Sequence, residues 1–312
     1  MIGDCRNTLR QNARQWNIPD AADWRVLLSN NYQPNYSTLA LFWFENGAQF
    51  PSVVTKIFGS PEIPMREFES LKEVHAVAPA LAPRPLHVGQ VGEFWMLWME
   101  GMPGWPFQAR KDSSPTRLES VVDALVTIHL AVRREPAGGD RHRRMVVEPL
   151  RSLEQFGGAE SVRAGCARLA ARCSEEWLGS LSAIPQHGDF FLSNLLSYRN
   201  QWYFLDWESY GMIDLPFYDL FTFLLSVLRG GGEAPGNWSP SLAGQVPGLI
   251  HRYARGLGES FPDASLFLPL TLANWFHLQW IDGRGEFTAR MYQTIQHYFE
   301  HTDLWEGVFS QR

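Results

Sequence analysis

Asp189, Asn194 and Asp206 are the side chains of this sequence best suited to chemistry by type and spacing. The run His187-Gly188-Asp189-Phe190-Phe191-Leu192-Ser193-Asn194 reads as a loop. It is followed by the strand-like Gln201-Trp202-Tyr203-Phe204-Leu205 and then by Asp206-Trp207-Glu208. Phosphoryl transfer needs this set: a carboxylate that orients or deprotonates the attacking hydroxyl, and an Asn with an Asp to hold the magnesium ions that bridge nucleotide phosphates. Taken alone, His, Asp and Asn in turns often only cap helices or bond the local backbone. The second Asp, placed at the end of an aromatic strand, favours the chemical reading.

Such a site needs a cation on the phosphates. Leu39-Ala40-Leu41-Phe42-Trp43-Phe44 and Pro51-Ser52-Val53-Val54-Thr55-Lys56-Ile57-Phe58 read as two strands around the turn Glu45-Asn46-Gly47. Lys56 stands inside the second. A Lys there commonly guards an edge strand. Yet the chain has three Lys against 24 Arg, so the compact ammonium reads as chosen for phosphate oxygens. A partner acid should hold it. On the helix expected over 66–78, Glu67 falls within the apolar arc of Phe68, Leu71, Val74, His75 and Ala78, whereas Glu69 and Glu73 point away. An acid on a buried face needs a partner, so Glu67 is assigned to Lys56.

These residues resemble the aminoglycoside phosphotransferase and choline kinase superfamily, small-molecule relatives of the protein kinases. His187-Gly188-Asp189 through Asn194 resembles its catalytic loop, with Gly188 where protein kinases carry Arg. Leu205-Asp206-Trp207-Glu208 resembles its metal segment, and Gly211, Asp214-Leu215-Pro216 and Asp219-Leu220 resemble the stretch beyond that segment. Arg66-Glu67 fits its Arg-Glu pair. The Asp-Phe-Gly and Ala-Pro-Glu of protein kinases are absent. The resemblance is sharp over roughly 185–220 and extends more loosely over 50–135.

The resemblance implies an α+β, two-lobed, protein-kinase-like fold, with an antiparallel five-stranded N-lobe over 1–100 and a mostly helical C-lobe over 101–312. It implies ATP and Mg2+ between the lobes. Lys56, held by Glu67, would anchor the α- and β-phosphates, Asn194 and Asp206 would bind magnesium, and Glu208 would order water or the second metal. Asp189 would align an acceptor hydroxyl, and His187 would pack beneath the loop in a positioning role. Phe94-Trp95-Met96-Leu97-Trp98-Met99 becomes the gatekeeper strand, ending at Met99, with the Glu100 carbonyl and the Met102 amide facing adenine. One departure stands out. The segment 29–38 contains no Gly where a Gly-rich phosphate cover is usual, and the Ser37 and Thr38 hydroxyls and backbone amides are the candidates to replace it. That loop favours a pseudokinase or nucleotide-binding regulatory module; the full set Lys56, Glu67, Asp189, Asn194 and Asp206 favours catalysis. The missing activation-segment signatures argue against a protein kinase.

Length and composition are ordinary for a soluble globular protein. With 312 residues the chain can build two lobes. No apolar run is long enough to span a membrane, the first residues do not open a signal peptide, and three Cys without metal spacing read as free thiols in a cytoplasmic protein. A formal charge of −6 speaks against nucleic acid. The family resemblance implies a small hydroxylated acceptor; antibiotic, choline, amino acid, sugar and nucleoside types remain open, and an aminoglycoside-like compound, a sugar or an amino-alcohol is the expectation. Residues 207–312 carry 11 acids and six Arg, together with several Trp and Tyr. A negative field there would favour a neutral or cationic acceptor over an anionic one.

Elsewhere the pattern is helical. Leu118, Val121, Val122, Leu125, Ile128, His129 and Val132 share one face, with His129 read as structural. The stretch from Leu266 to Phe299 reads as paired amphipathic helices, and the basic run 133–144 as a solvated loop. Gly230 to Gly236 is expected to be a flexible loop, a candidate for the acceptor side.

Overall fold

The computed structural model describes residues 1–19, 23–33, 36–136, 140–229, 238–261, 264–283 and 285–309, and no side chain over 30–38 or at 110. The side chains of Ser37 and Thr38, the glycines at 138–139 and the Gly-rich loop 230–236 lie outside the described residues. The chain divides into two compact units, Met1–Phe107 with Ser193–Ser209, and Gln108–Leu192 with Tyr210–Arg312.

Stretches rich in apolar and aromatic residues build the sheet of the first unit: β1 (Arg25–Gln33), β2 (Tyr36–Phe44), β3 (Val53–Phe58), β4 (Pro85–Val91) and β5 (Phe94–Glu100). Their order is β1-β2-β3-β5-β4, antiparallel throughout. β3 is thus central, with Lys56 opposite Ala40 on one side and Leu97 on the other. An edge-strand role for this lysine is excluded. Helix α1 (Ile2–Trp16) lays Cys5, Leu9 and Trp16 onto Leu41, Trp43, Val53, Ile57, Met96 and Trp98. Helix α2 (Glu62–Val77) comes after β3 and buries Glu67, Ser70, Leu71 and Val74.

The first unit runs past residue 100 because of a second, smaller sheet. β6 (Trp105–Pro106) pairs with β7 (Leu195–Tyr198), which pairs with β8 (Gln201–Phe204). Arg199 and Asn200 join β7 to β8 with φ of 50° and 65°, the backbone that a two-residue hairpin turn requires. The Phe204 amide then donates to the Leu81 carbonyl, tying this hairpin to the segment after α2.

The second unit is helical. Two of its elements depart from the sequence reading. The helix Phe267–Ile281 is buried on nearly all sides rather than amphipathic. Its polar Asn274 is accommodated by donating to the carbonyls of Met145 and Leu270. The basic run is not wholly solvated either. Arg141 is 5% exposed, pairs with Asp214 Oδ1 at 2.8 Å and donates to the carbonyls of Leu178, Leu181, Ser182 and Asp214. His142 binds the Cys173 carbonyl, while Arg143 pairs with Glu148 near the surface. Removing one partner of a buried ion pair strands the other charge, so Arg141→Met should cost about 3–5 kcal/mol in urea unfolding. A loss under about 0.5 kcal/mol, typical of a surface site, would restore the solvated reading.

Among the described residues no helix is long and apolar enough to cross a membrane. The three cysteines are free and buried.

Candidate functional site

In the first unit, three elements bring four charges together. Lys56 projects from β3 and donates to Glu67 Oε1 at 2.6 Å and to Asp206 Oδ1 at 2.7 Å. Glu67 is fully buried on α2. Asp206 comes directly after β8, and Glu208 lies in the short turn Trp207–Ser209. The carboxylate oxygens of Glu67, Asp206 and Glu208 lie within 4.8 Å of one another.

Local structure explains each position. The hairpin pairs Leu195 with Phe204, and beyond that pair the Leu205 amide donates to the Asn194 carbonyl at 2.9 Å. Asn194 and Asp206 therefore flank the open end of one hairpin. Asp206 has φ 66°, a left-handed backbone that Asp and Asn tolerate better than other side-chain-bearing residues and that clusters at functional sites. Arg66, not assigned a contact from sequence, donates from Nε to the Glu208 carbonyl at 2.7 Å and so ties α2 to this turn.

Burial and charge set the protonation states. Burial alone would depress the Lys56 ammonium, but Asp206, Glu67 and Glu208 outweigh it and hold its pKa well above the ordinary lysine value. Burial raises Glu67 to about 7 against the pull of Lys56, with Asp206 and Glu208 adding to the rise. Glu67 Oε2 has no hydrogen-bond partner. The ammonium carries three N–H groups; two reach carboxylates, leaving one for a further anionic oxygen. The clustered carboxylates form a hard-oxygen donor set of the kind that suits magnesium or calcium, so the residues fit a divalent cation.

The Lys56–Glu67 pair makes a stability prediction. Lys56→Met strands a fully buried carboxylate and should destabilise by about 3–5 kcal/mol, whereas Lys56→Met with Glu67→Leu should recover most of that loss. Chemical unfolding of both variants checks this. Equal stability of the single and double variants would deny the coupling.

The proposed hinge residues lie in the same unit. Met99 is buried in β5 opposite Val54 and Pro85. The Glu100 amide donates to the Arg84 carbonyl, and the Gly101 amide to the Ser52 carbonyl. Gly101 approaches Pro51 so closely that a Cβ would meet its carbonyl oxygen at 2.1 Å. Met102 is half-buried just beyond.

The second unit holds the other candidates. His187 is 1% exposed, its ring lies edge-on to Phe190, and its Nδ1 accepts the Asp189 amide at 3.3 Å. Asp189 itself is half-buried. The residue that pins this loop is Asp219, to which no role was given from sequence. Fully buried, it accepts the His187 amide at 2.6 Å and the Gly188 amide at 3.1 Å. His129 Nε2 lies 3.1 Å from the same carboxylate, and its Nδ1 lies 2.6 Å from the Tyr253 hydroxyl. Gly188 has φ 86°, which a side-chain-bearing residue adopts only under strain.

Several of the 11 acids counted over 207–312 have partners within the protein. Asp214 pairs with Arg141 and Arg144, Glu259 pairs with Arg133 and accepts from Ser182, and Glu300 accepts from Ser161 and Gln296.

Residues 42–263 match the model of the phosphotransferase enzyme family. Comparison with curated proteins gives no match. Among solved structures, a choline kinase from Cryptosporidium parvum Iowa II is similar with a TM-score of 0.66 and 13% identity, over 100% of this chain and 98% of that one. A thermostable mutant of an aminoglycoside phosphotransferase, in ternary complex with AMP-PNP and hygromycin B, gives a TM-score of 0.59 at 13% identity over 94% and 98% of the two chains. An amicoumacin kinase in complex with AMP-PNP, Ca2+ and Ami gives 0.57 at 14% identity over 86% and 88%. These likenesses establish the two-lobed, kinase-like fold.

Proposed function

This chain belongs to the phosphotransferase enzyme family, and from that premise we propose that it transfers the γ-phosphoryl group of ATP, with Mg2+, to a hydroxyl of a small molecule. The observation that carries the reading is Lys56, an ammonium in a central strand bonded at once to the buried Glu67 and to Asp206. A structural ion pair would need only one of these acids.

Lys56 binds the α- and β-phosphates through its remaining N–H, and Glu67 keeps it aimed. Asn194, Asp206 and Glu208 are the residues that would hold the metal. A divalent cation held by them would supply charge neutralisation to the transferring phosphoryl group. Met99, Glu100 and Met102 would border adenine, and backbone amides near Ser37 and Thr38 would cover the phosphates. Asp189 accepts the acceptor's hydroxyl proton or hydrogen bond and aligns its oxygen, while His187 positions the loop. The amino-alcohol and antibiotic named for the similar kinases support an acceptor of aminoglycoside, sugar or amino-alcohol type.

An ATP-consumption screen over hydroxylated metabolites and aminoglycosides, with and without Mg2+, tests this. The expected result is acceptor-dependent ADP release that requires the metal and disappears in Lys56→Met. Nucleotide binding without turnover across the whole panel would instead indicate a regulatory nucleotide-binding module.

A further inference from the structure

The second unit contains a half-buried guanidinium that no acid among the described residues compensates. Arg229 ends the helix Tyr218–Arg229 and is half-buried. One of its amino groups donates to the Thr294 hydroxyl, and its guanidinium lies 5.7 Å from the centroid of the Trp275 ring. Among the described residues it makes no ion pair. Burial pushes its pKa below the ordinary arginine value, and no acid opposes that shift. Arg141 and Arg133 of the same unit, by contrast, pair with Asp214 and Glu259. Taking a guanidinium out of water without a counter-charge is costly, so a fold that keeps one there leaves a place for an anion.

Trp275 connects this charge to the candidate catalytic loop. Phe191, two residues beyond Asp189, places its ring 5.0 Å from that of Trp275, and Phe287 lies 5.8 Å away on the same indole. The Phe191 amide donates to the Asp189 carbonyl at 2.9 Å, so ring and carboxylate belong to one tight turn. Trp275 is 2% exposed, and its indole N–H is buried without an acceptor. Two donors thus share a neighbourhood in which no described acid answers either of them.

We infer that the phosphoryl acceptor carries an anionic group, a carboxylate or a phosphate ester, which Arg229 receives while Trp275 and Phe191 cover its carbon frame. This rests on the phosphotransfer reading of Asp189 and narrows the substrate class. A sugar acid, a hydroxy amino acid or a sugar phosphate is favoured over an uncharged sugar or a choline-like cation. It runs against the expectation of a neutral or cationic acceptor drawn from the acid count, in which acids paired within the protein, such as Asp214 and Glu259, are included.

The test compares compounds that differ by one anionic group: ethanolamine with L-serine, glycerol with glycerate and glycerol phosphate, glucose with gluconate and glucose phosphate. The expected result is a lower KM for the anionic members. Arg229→Met should raise that KM by roughly 30-fold or more, the loss expected when one member of a buried charge pair is removed, while changing the uncharged partners little. The carboxylate and phosphate arms show which anion is taken. Because Arg229 has no counter-charge among the described residues, Arg229→Met should unfold at the wild-type midpoint or above it. A structural role would lower the midpoint and weaken every substrate alike. Equal KM values across each pair in the wild type, or a charge preference that survives in Arg229→Met, would overturn the inference. Thermal protection by the same anions without ATP gives an independent readout. Arg229-dependent protection with no phosphate transfer would uphold the anion subsite and sink the phosphotransfer reading, and no protection by any anion would sink the subsite.

Discussion

Asp189→Ala is expected to lower turnover by about 100- to 10,000-fold, the usual contribution of a positioned general base, while leaving nucleotide affinity close to that of the wild type. The loop is built to hold this carboxylate still. Asp219 takes the amides of His187 and Gly188, and the Gln186 side-chain carbonyl accepts the Asp219 amide. His187 Nδ1 takes the Asp189 amide in turn. Positioning of this kind acts on the transition state and hardly on the bound nucleotide. Single-turnover rates and calorimetric affinities for the same variant separate the two. Wild-type turnover would remove Asp189 from the chemistry, and a parallel loss of nucleotide affinity would point to a collapsed loop.

The same network explains what could and could not be read from the sequence. Lys56 and Glu67 were legible because each breaks an apolar pattern, a charge in a central strand and an acid in a helix's apolar arc. The β7–β8 hairpin was legible in part, through the aromatic run that ends at Asp206. The left-handed backbone at Asp206 was not, because nothing in an Asp-Trp-Glu triplet records a φ of 66°. Asp219 stood in a recognisable segment, yet its role depends on amides some 30 positions earlier in the chain. Arg141 looked like one member of a solvated basic run. Its burial is created by carbonyls at 178–182 and by Asp214, 73 positions away. Charge counting over 207–312 has the same limit. The count sums the acids of 207–312 without their partners, several of which the fold supplies: Asp214 faces Arg141, Glu259 faces Arg133 and Asp219 takes backbone amides.

Asp206→Asn is expected to abolish the magnesium dependence of nucleotide binding and with it most turnover. Asn tolerates the left-handed backbone at this position almost as well as Asp, and Lys56 keeps its bond to Glu67, so the fold should persist. What disappears is the negative charge. One unit charge at about 4 Å and an effective dielectric constant near 20 is worth about 4 kcal/mol, roughly a thousandfold in affinity, and a divalent cation has more to lose. Asn194→Ala should weaken the same binding less, because it removes a neutral oxygen rather than a charge. Glu67→Gln gives a contrasting outcome: Lys56 remains tied to Asp206, so metal dependence should survive while the ammonium is less firmly aimed. Titration of each variant with ATP at fixed magnesium, and again with the metal chelated, distinguishes these cases. If Asp206→Asn binds nucleotide as tightly as the wild type and still responds to magnesium, the metal is held elsewhere and the assignment of this hairpin end falls.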